Sequence, residues 1–194
     1  MSKKFRLVPF IVACASVLAL SGLVVATASA RPAPQTAPGD ALDPRTYAPD
    51  SELFLAVHAT GVQKYTCQSN GSWLFTDPEA TLYKANGSAT GTHFLNFATG
   101  RPVWQLKDGS SVEAARFAAL PGGAGNIPWL LLQAVGTTAG SDGDHLEGTK
   151  WVQRLNTSGG VAPAGSCTPG DHADVAYAAE YAFWRAAGGD DSDD

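Results

Sequence analysis

Few residues of this chain are equipped for chemistry, and they lie far apart. His58, His93, His145 and His172 show no H-x-x-x-H or comparable zinc spacing, and neither Cys67 nor Cys167 has a C-x-x-C partner, so no metal is expected. His93 follows Gly91-Thr92 and precedes Phe94, near the start of a β-prone run. With Asp108 it would form a general base and the carboxylate that orients it; Glu79 is the other carboxylate within consideration. Asp108 is equally suited to a plain turn, because Asp108-Gly109 favours positive φ. Ser110 and Ser111 lack the G-x-S-x-G context of a nucleophile elbow. Arg154, close to Asn156-Thr157 at the end of a strand, would grip a carboxylate or a sugar hydroxyl, or else pair with an acid on the sheet surface. Trp104 would supply an apolar wall. His93, Trp104, Asp108 and Arg154 are therefore expected to share one binding mouth at a rim of the fold, where strand ends and turns collect. His58 sits in an apolar run and reads as a hydrogen-bonded core residue. The loop Asp142-Gly143-Asp144-His145-Leu146-Glu147 is rich in carboxylates but lacks the EF-hand spacing, so it reads as solvated. Of the five tryptophans most should be core; one exposed on a sheet face would make a sugar-stacking platform.

Such residues need a frame, and the centre of that frame is NIPWLLLQAV, residues 126–135. Trp129 to Leu132 leave no polar face, and Gly-rich segments bound the run on both sides, so a strand buried on both faces is expected. Pro128, which has no N–H, belongs at its start. Around it lie short β-prone runs separated by turns. Thr60-Gly61 reads as a hairpin between Glu52–Ala59 and Val62–Gln68, and Asp77-Pro78-Glu79-Ala80 as a break. Lys107-Asp108-Gly109-Ser110 is the clearest turn. Ser111–Ala119 suits a strand or a short helical turn. In the last run, Val175, Tyr177, Ala179, Tyr181 and Phe183 alternate as in a half-buried strand, although the alanines also permit helix. Turn signals every eight to twelve residues imply a mainly β fold, a single-domain sandwich or barrel of short antiparallel strands.

The N-terminus sets the expected compartment. Lys3, Lys4 and Arg6 precede an apolar stretch from Leu7 to Val25, and Ala28-Ser29-Ala30 offers a signal-peptidase site. Residues 1–30 are thus expected to be a signal peptide cut after Ala30, giving a secreted protein with no membrane segment. Ile11-Val12-Ala13-Cys14 resembles a lipidation site, but the residues after Cys14 stay apolar where a lipoprotein turns polar, so anchoring there is not expected. Residues 31–50 read as an extended Pro/Ala-rich leader, 51–186 as the β domain and 187–194 as an acidic disordered tail. Cleavage would remove three positive residues from a chain of net charge −5, leaving −8 with no basic stripe, which excludes nucleic acid as a natural partner. Cys67 and Cys167 would be the two cysteines left, and an even pair in an exported chain implies one disulfide.

The phrases LAVHATGVQKYTCQ, PEATLY, GTHF, PVWQLKDGSSV, NIPWLLLQA, WVQRLNTSGGVAP and YAAEYAFWR, in that order, resemble the secreted family of domain of unknown function 3455 over about Glu52 to Arg185. The resemblance implies export and a shared, mainly β domain, and it brings no catalytic residues. The chain departs from it in FLNFATGR, where relatives tend to have a more compact turn, so a site near that turn is expected to differ. No cofactor is expected, since no G-x-G-x-x-G leads from a strand into a helix. What remains is a secreted, monomeric module that binds a small ligand or a cell-wall glycan. The alternative is an extracellular hydrolase or isomerase using His93 with a nearby carboxylate.

Overall fold

The computed structural model describes residues 40–188. The alternating runs form eight antiparallel strands: β1 (Ser51–Cys67), β2 (Trp73–Tyr83), β3 (Ala89–Asn96), β4 (Arg101–Leu106), β5 (Ser111–Leu120), β6 (Trp129–Thr138), β7 (Trp151–Gly159) and β8 (His172–Ala186). Each pairs with the next in sequence, and β8 returns to β1, so the sheet closes as a barrel rather than splitting into a sandwich. Closure leaves no open edge. An eight-stranded barrel has an interior that side chains fill, or that admits one small ligand.

Period-two alternation decides which side chains go inside. Tyr177, Ala179, Tyr181 and Phe183 of β8 are all buried in the interior cluster, which explains why this alanine-rich run is strand and not helix. β5 is likewise strand throughout. In β6, Leu132 (2% exposed) points into the barrel while Leu131 (0%) packs outwards with Leu42, Trp151 and Trp184. The central strand is therefore covered on both faces at Leu131 and Leu132, but not along its whole length: Gln133 and Val135 are exposed.

The outer cover comes from a segment expected to be an extended leader. Residues 40–50 fold back as two 3-10 turns, Asp40–Leu42 and Pro44–Thr46, which seat Leu42 (2% exposed) against Leu131. Gln153 fastens it: its Nε2 donates to the Leu42 carbonyl, and its Oε1 accepts from Trp184 Nε1 at 2.7 Å. The expected signal peptide (residues 1–30), residues 31–39 of the expected leader and residues 189–194 of the expected acidic tail lie outside the described residues.

Three local expectations are corrected. His58 is exposed on β1 and is not a core residue. Thr60-Gly61 makes no hairpin; β1 runs unbroken through it. Gly61 instead lets the backbone of β2 come close, since a Cβ there would overlap the Glu79 carbonyl. Asp77–Ala80 is no break either, but part of β2, where the pairing with β1 shifts register between Lys64 and Tyr65. That bulge accommodates Pro78 within the sheet.

The up-and-down order sends the connections to two ends of the barrel. Segments 68–72, 97–100, 121–128 and 160–171 belong to one end, which the expected Cys67–Cys167 disulfide staples, with Cα atoms 5.8 Å apart. Segments 84–88, 107–110 and 139–150 belong to the other, where Leu146 is fully buried in the interior cluster as a plug.

Candidate functional site

Pairing places His93 opposite both Ala80 of β2 and Trp104 of β4, so its side chain shares their inward direction. The imidazole stacks on Trp104 with ring centres 4.5 Å apart and planes 10° from parallel; Tyr181 stands 5.1 Å away. His93 Nδ1 lies 2.8 Å from the Val103 carbonyl. A carbonyl only accepts, so Nδ1 carries the hydrogen and Nε2 keeps its lone pair. Burial pushes the His93 pKa down to about 3; the Val103 carbonyl opposes this and the charge of Arg154 reinforces it. The ring is neutral at physiological pH.

Arg154 lies opposite Leu130 on β7, two residues beyond the interior Val152, and reaches the same space from the other wall. It is half-buried, and its Nε donates to the Pro128 carbonyl at 3.0 Å. Between His93 and Arg154 opens a cavity of about 520 Å³, lined also by Gln63, Tyr65, Arg116 and Leu130. This is the size of a small-molecule site. Tyr65 is fixed at its rim by a 2.6 Å hydrogen bond from its hydroxyl to the Gly160 carbonyl. Gln63 is 3% exposed, yet its Nε2 has no hydrogen-bond partner among the described residues. The same holds for Trp104 Nε1 and the hydroxyls of Tyr177 and Tyr181 in the interior. Burial raises the pKa of both phenols, and Arg154 works against it in each. Tyr177 also interacts with Gln63, and Tyr181 with Tyr177, Trp104 and Arg154, so these groups act on one another's ionisation as one polar cluster inside the barrel.

Of the four residues expected at one mouth, His93 and Arg154 line this cavity; Trp104 is buried behind His93, stacked on it and outside the lining, and Asp108 does not join them. Asp108 lies in the β4–β5 turn at the plugged end. Its Oδ1 accepts from Ser110 Oγ at 2.7 Å, and its Oδ2 from His145 Nδ1 at 2.7 Å. Glu79 pairs with Lys64. No Asp or Glu lines the cavity that holds His93, so the expected base-and-carboxylate pair is not assembled. A smaller hollow of about 300 Å³ lies beside Asp108 and His145, whose mutual pairing already occupies them. None of the five tryptophans is exposed, so no sugar-stacking platform is presented.

Gln63 and Arg116 of the cavity lining, and Tyr177 and Tyr181 of the barrel interior, have polar groups that sequence reasoning missed. Parity held the signal for Gln63, which shares a strand face with Tyr65 and Cys67. Tyr177 and Tyr181 were legible as inward residues but pass for apolar core. Arg116 is legible only from its pairing with Leu132, which a bulge after it disguises.

Among the described residues no group of three or more His, Cys, Asp or Glu could hold a metal ion, and no helix is long and apolar enough to cross a membrane. No curated protein and no solved structure matches the chain. A family model described as a protein of unknown function (DUF3455) matches residues 48–185, a span that takes in the whole barrel but for its last residue, and the chain belongs to that family.

Proposed function

We propose that this protein acts outside the cell as a binding module for a small organic molecule, held in the disulfide end of the barrel between His93 and Arg154. Export is supported by the basic, apolar and Ala-x-Ala pattern of residues 1–30. The observation that carries the binding reading is Arg154: a half-buried guanidinium with no carboxylate partner among the described residues, lining a cavity of about 520 Å³. A charge kept between apolar walls without a counter-ion costs stability, and a ligand that pairs with it would return that loss. Phe75, Leu130 and Leu132 supply apolar contact, while Arg154 and His93 supply direction. Neutral His93 offers an acceptor at Nε2, suited to a ligand hydroxyl or amide hydrogen.

The test is a thermal-shift panel of small metabolites on the wild type and on Leu130→Trp, which fills the cavity from β6. A ligand that raises the melting temperature of the wild type and not of the variant supports the reading. Equal shifts in both, or none in a broad panel, would count against it.

A further inference from the structure

The geometry points to an organic anion as the ligand class, its charged head held by Arg154 and Arg116 and its uncharged body lying against Phe75, Leu130 and Leu132; this rests on the cavity being the binding site. The chain as a whole is acidic, with 18 Asp and Glu against 13 Lys and Arg. Against that balance, three of the five arginines among the described residues (Arg101, Arg116 and Arg154) line this cavity, and no carboxylate does.

Pairing singles out two of them. Arg45 has Asp43, Arg101 has Glu113 and Arg185 has Glu52. Arg116 and Arg154 have no carboxylate partner among the described residues; Arg154 donates through Nε to the Pro128 carbonyl and interacts with the Tyr181 hydroxyl, neither of which neutralises its charge. A guanidinium keeps its charge and presents a fork that matches two oxygens of an oxyanion. Half-buried between apolar walls, such a group gains most from a counter-ion in the same space. The cavity is thus rich in donors and cations and poor in acceptors. Neutral His93 leaves the positive charge concentrated at Arg154 and Arg116, which fixes the polarity of the ligand with its head towards the arginines.

Three probes share one ring system and differ only in the head: 2-naphthylacetate, 2-naphthylacetamide and 2-(2-naphthyl)ethylamine. In titration calorimetry on the full mature chain, the carboxylate should bind about tenfold or more tighter than the amide, and the amine weakest of all. Arg154→Gln should cost the carboxylate far more affinity than it costs the amide, bringing the two close together. Arg116→Gln, at an exposed position, should act in the same direction and serves if Arg154→Gln fails to fold. Equal affinity of carboxylate and amide for the wild type would overturn the anion assignment and leave the binding site standing. Binding by none of the three at millimolar concentration would overturn both. Carboxylate binding that survives Leu130→Trp would place the anion elsewhere and end the inference.

Discussion

Asp108 and His145, 37 residues apart in sequence, meet through a 2.7 Å contact between Oδ2 and Nδ1 that ties the β4–β5 turn to the loop between β6 and β7. The same carboxylate accepts the backbone N–H and hydroxyl of Ser110 through Oδ1, and Ser110 Oγ in turn accepts from Leu146 N–H. Asp108 is thereby the hub that seats the Leu146 plug.

Burial by itself would raise the Asp108 pKa, but the hydrogen bonds from Ser110 and His145 together outweigh it and lower the value to about 2, against 3.8 for a free carboxyl. A depressed carboxyl stabilises the fold fully above its unfolded pKa, and that contribution is lost as pH falls through the folded one. Asp108→Ala should therefore cost roughly 2–4 kcal/mol at neutral pH through lost charge-assisted bonds. In urea titrations the gap between wild type and variant should begin to narrow below about pH 4 and close near pH 2. A gap independent of pH would remove the charge from the explanation.

His93, like Asp108, is held in its unprotonated form, but by burial and as a neutral group. Its folded pKa of about 3 lies below the ordinary 6.5, so the unfolded chain binds the extra proton between those values and His93 costs stability as pH falls from 6.5 towards 3. Nitrogen-detected NMR should show a neutral ring protonated at Nδ1 from pH 8 down to about pH 4. An imidazolium signal for His93 at pH 6 would contradict the buried, Trp104-stacked geometry.

The class of fold was legible because period-two alternation and turn residues are local signals, as in Tyr177, Tyr181 and Phe183 or in Asp108-Gly109. Closure was not, because it depends on β1 pairing with β8, from Ser51 with Ala186 to Thr66 with His172, and nothing local marks that partnership. Gly61 shows the ambiguity of glycine: the same residue type serves a turn or a close approach of two backbones, and only the neighbour, here Ala80, decides. The Asp108 misassignment has a similar cause. His93 and Asp108 lie 15 positions apart, but β4 carries the chain away from the cavity end before the Asp108 turn is made. His93 and Trp104 point the same way because they are direct partners, a relationship fixed by the register of one hairpin.

Leu131 and Leu132 should be equally intolerant of truncation for different reasons. Each Leu→Ala change should cost roughly 2–5 kcal/mol, since both residues are essentially sealed from solvent. Leu132→Ala opens the barrel interior, whereas Leu131→Ala undoes the contact with Leu42. Leu42→Ala should therefore add little on top of Leu131→Ala, because residues in contact are not additive, yet add in full to Leu132→Ala. Full additivity of Leu42 with Leu131 in chemical denaturation would separate residues 40–50 from the barrel wall.

The disulfide joins the end of β1 to the connection between β7 and β8, beside the proposed mouth. Its sequence separation is 100, and closing a loop of that order restricts the unfolded chain by up to about 4–5 kcal/mol in the chain-entropy account. Replacing both residues, Cys67→Ser with Cys167→Ser, should lower the denaturation midpoint accordingly. The barrel ladder does not depend on the bridge, since Thr66 still pairs with His172 and Tyr65 with Ala173. Strand content by circular dichroism should therefore persist in the variant at low temperature. The local consequence falls on the mouth: Gly160, which holds the Tyr65 hydroxyl at 2.6 Å, begins the connection that the bridge restrains. Amide exchange should rise over 160–171 on removing the bridge while the amides of β3 and β4 around His93 stay protected. Exchange rising equally around His93 would mean that the disulfide supports the whole barrel, and the mouth would then have no local restraint of its own.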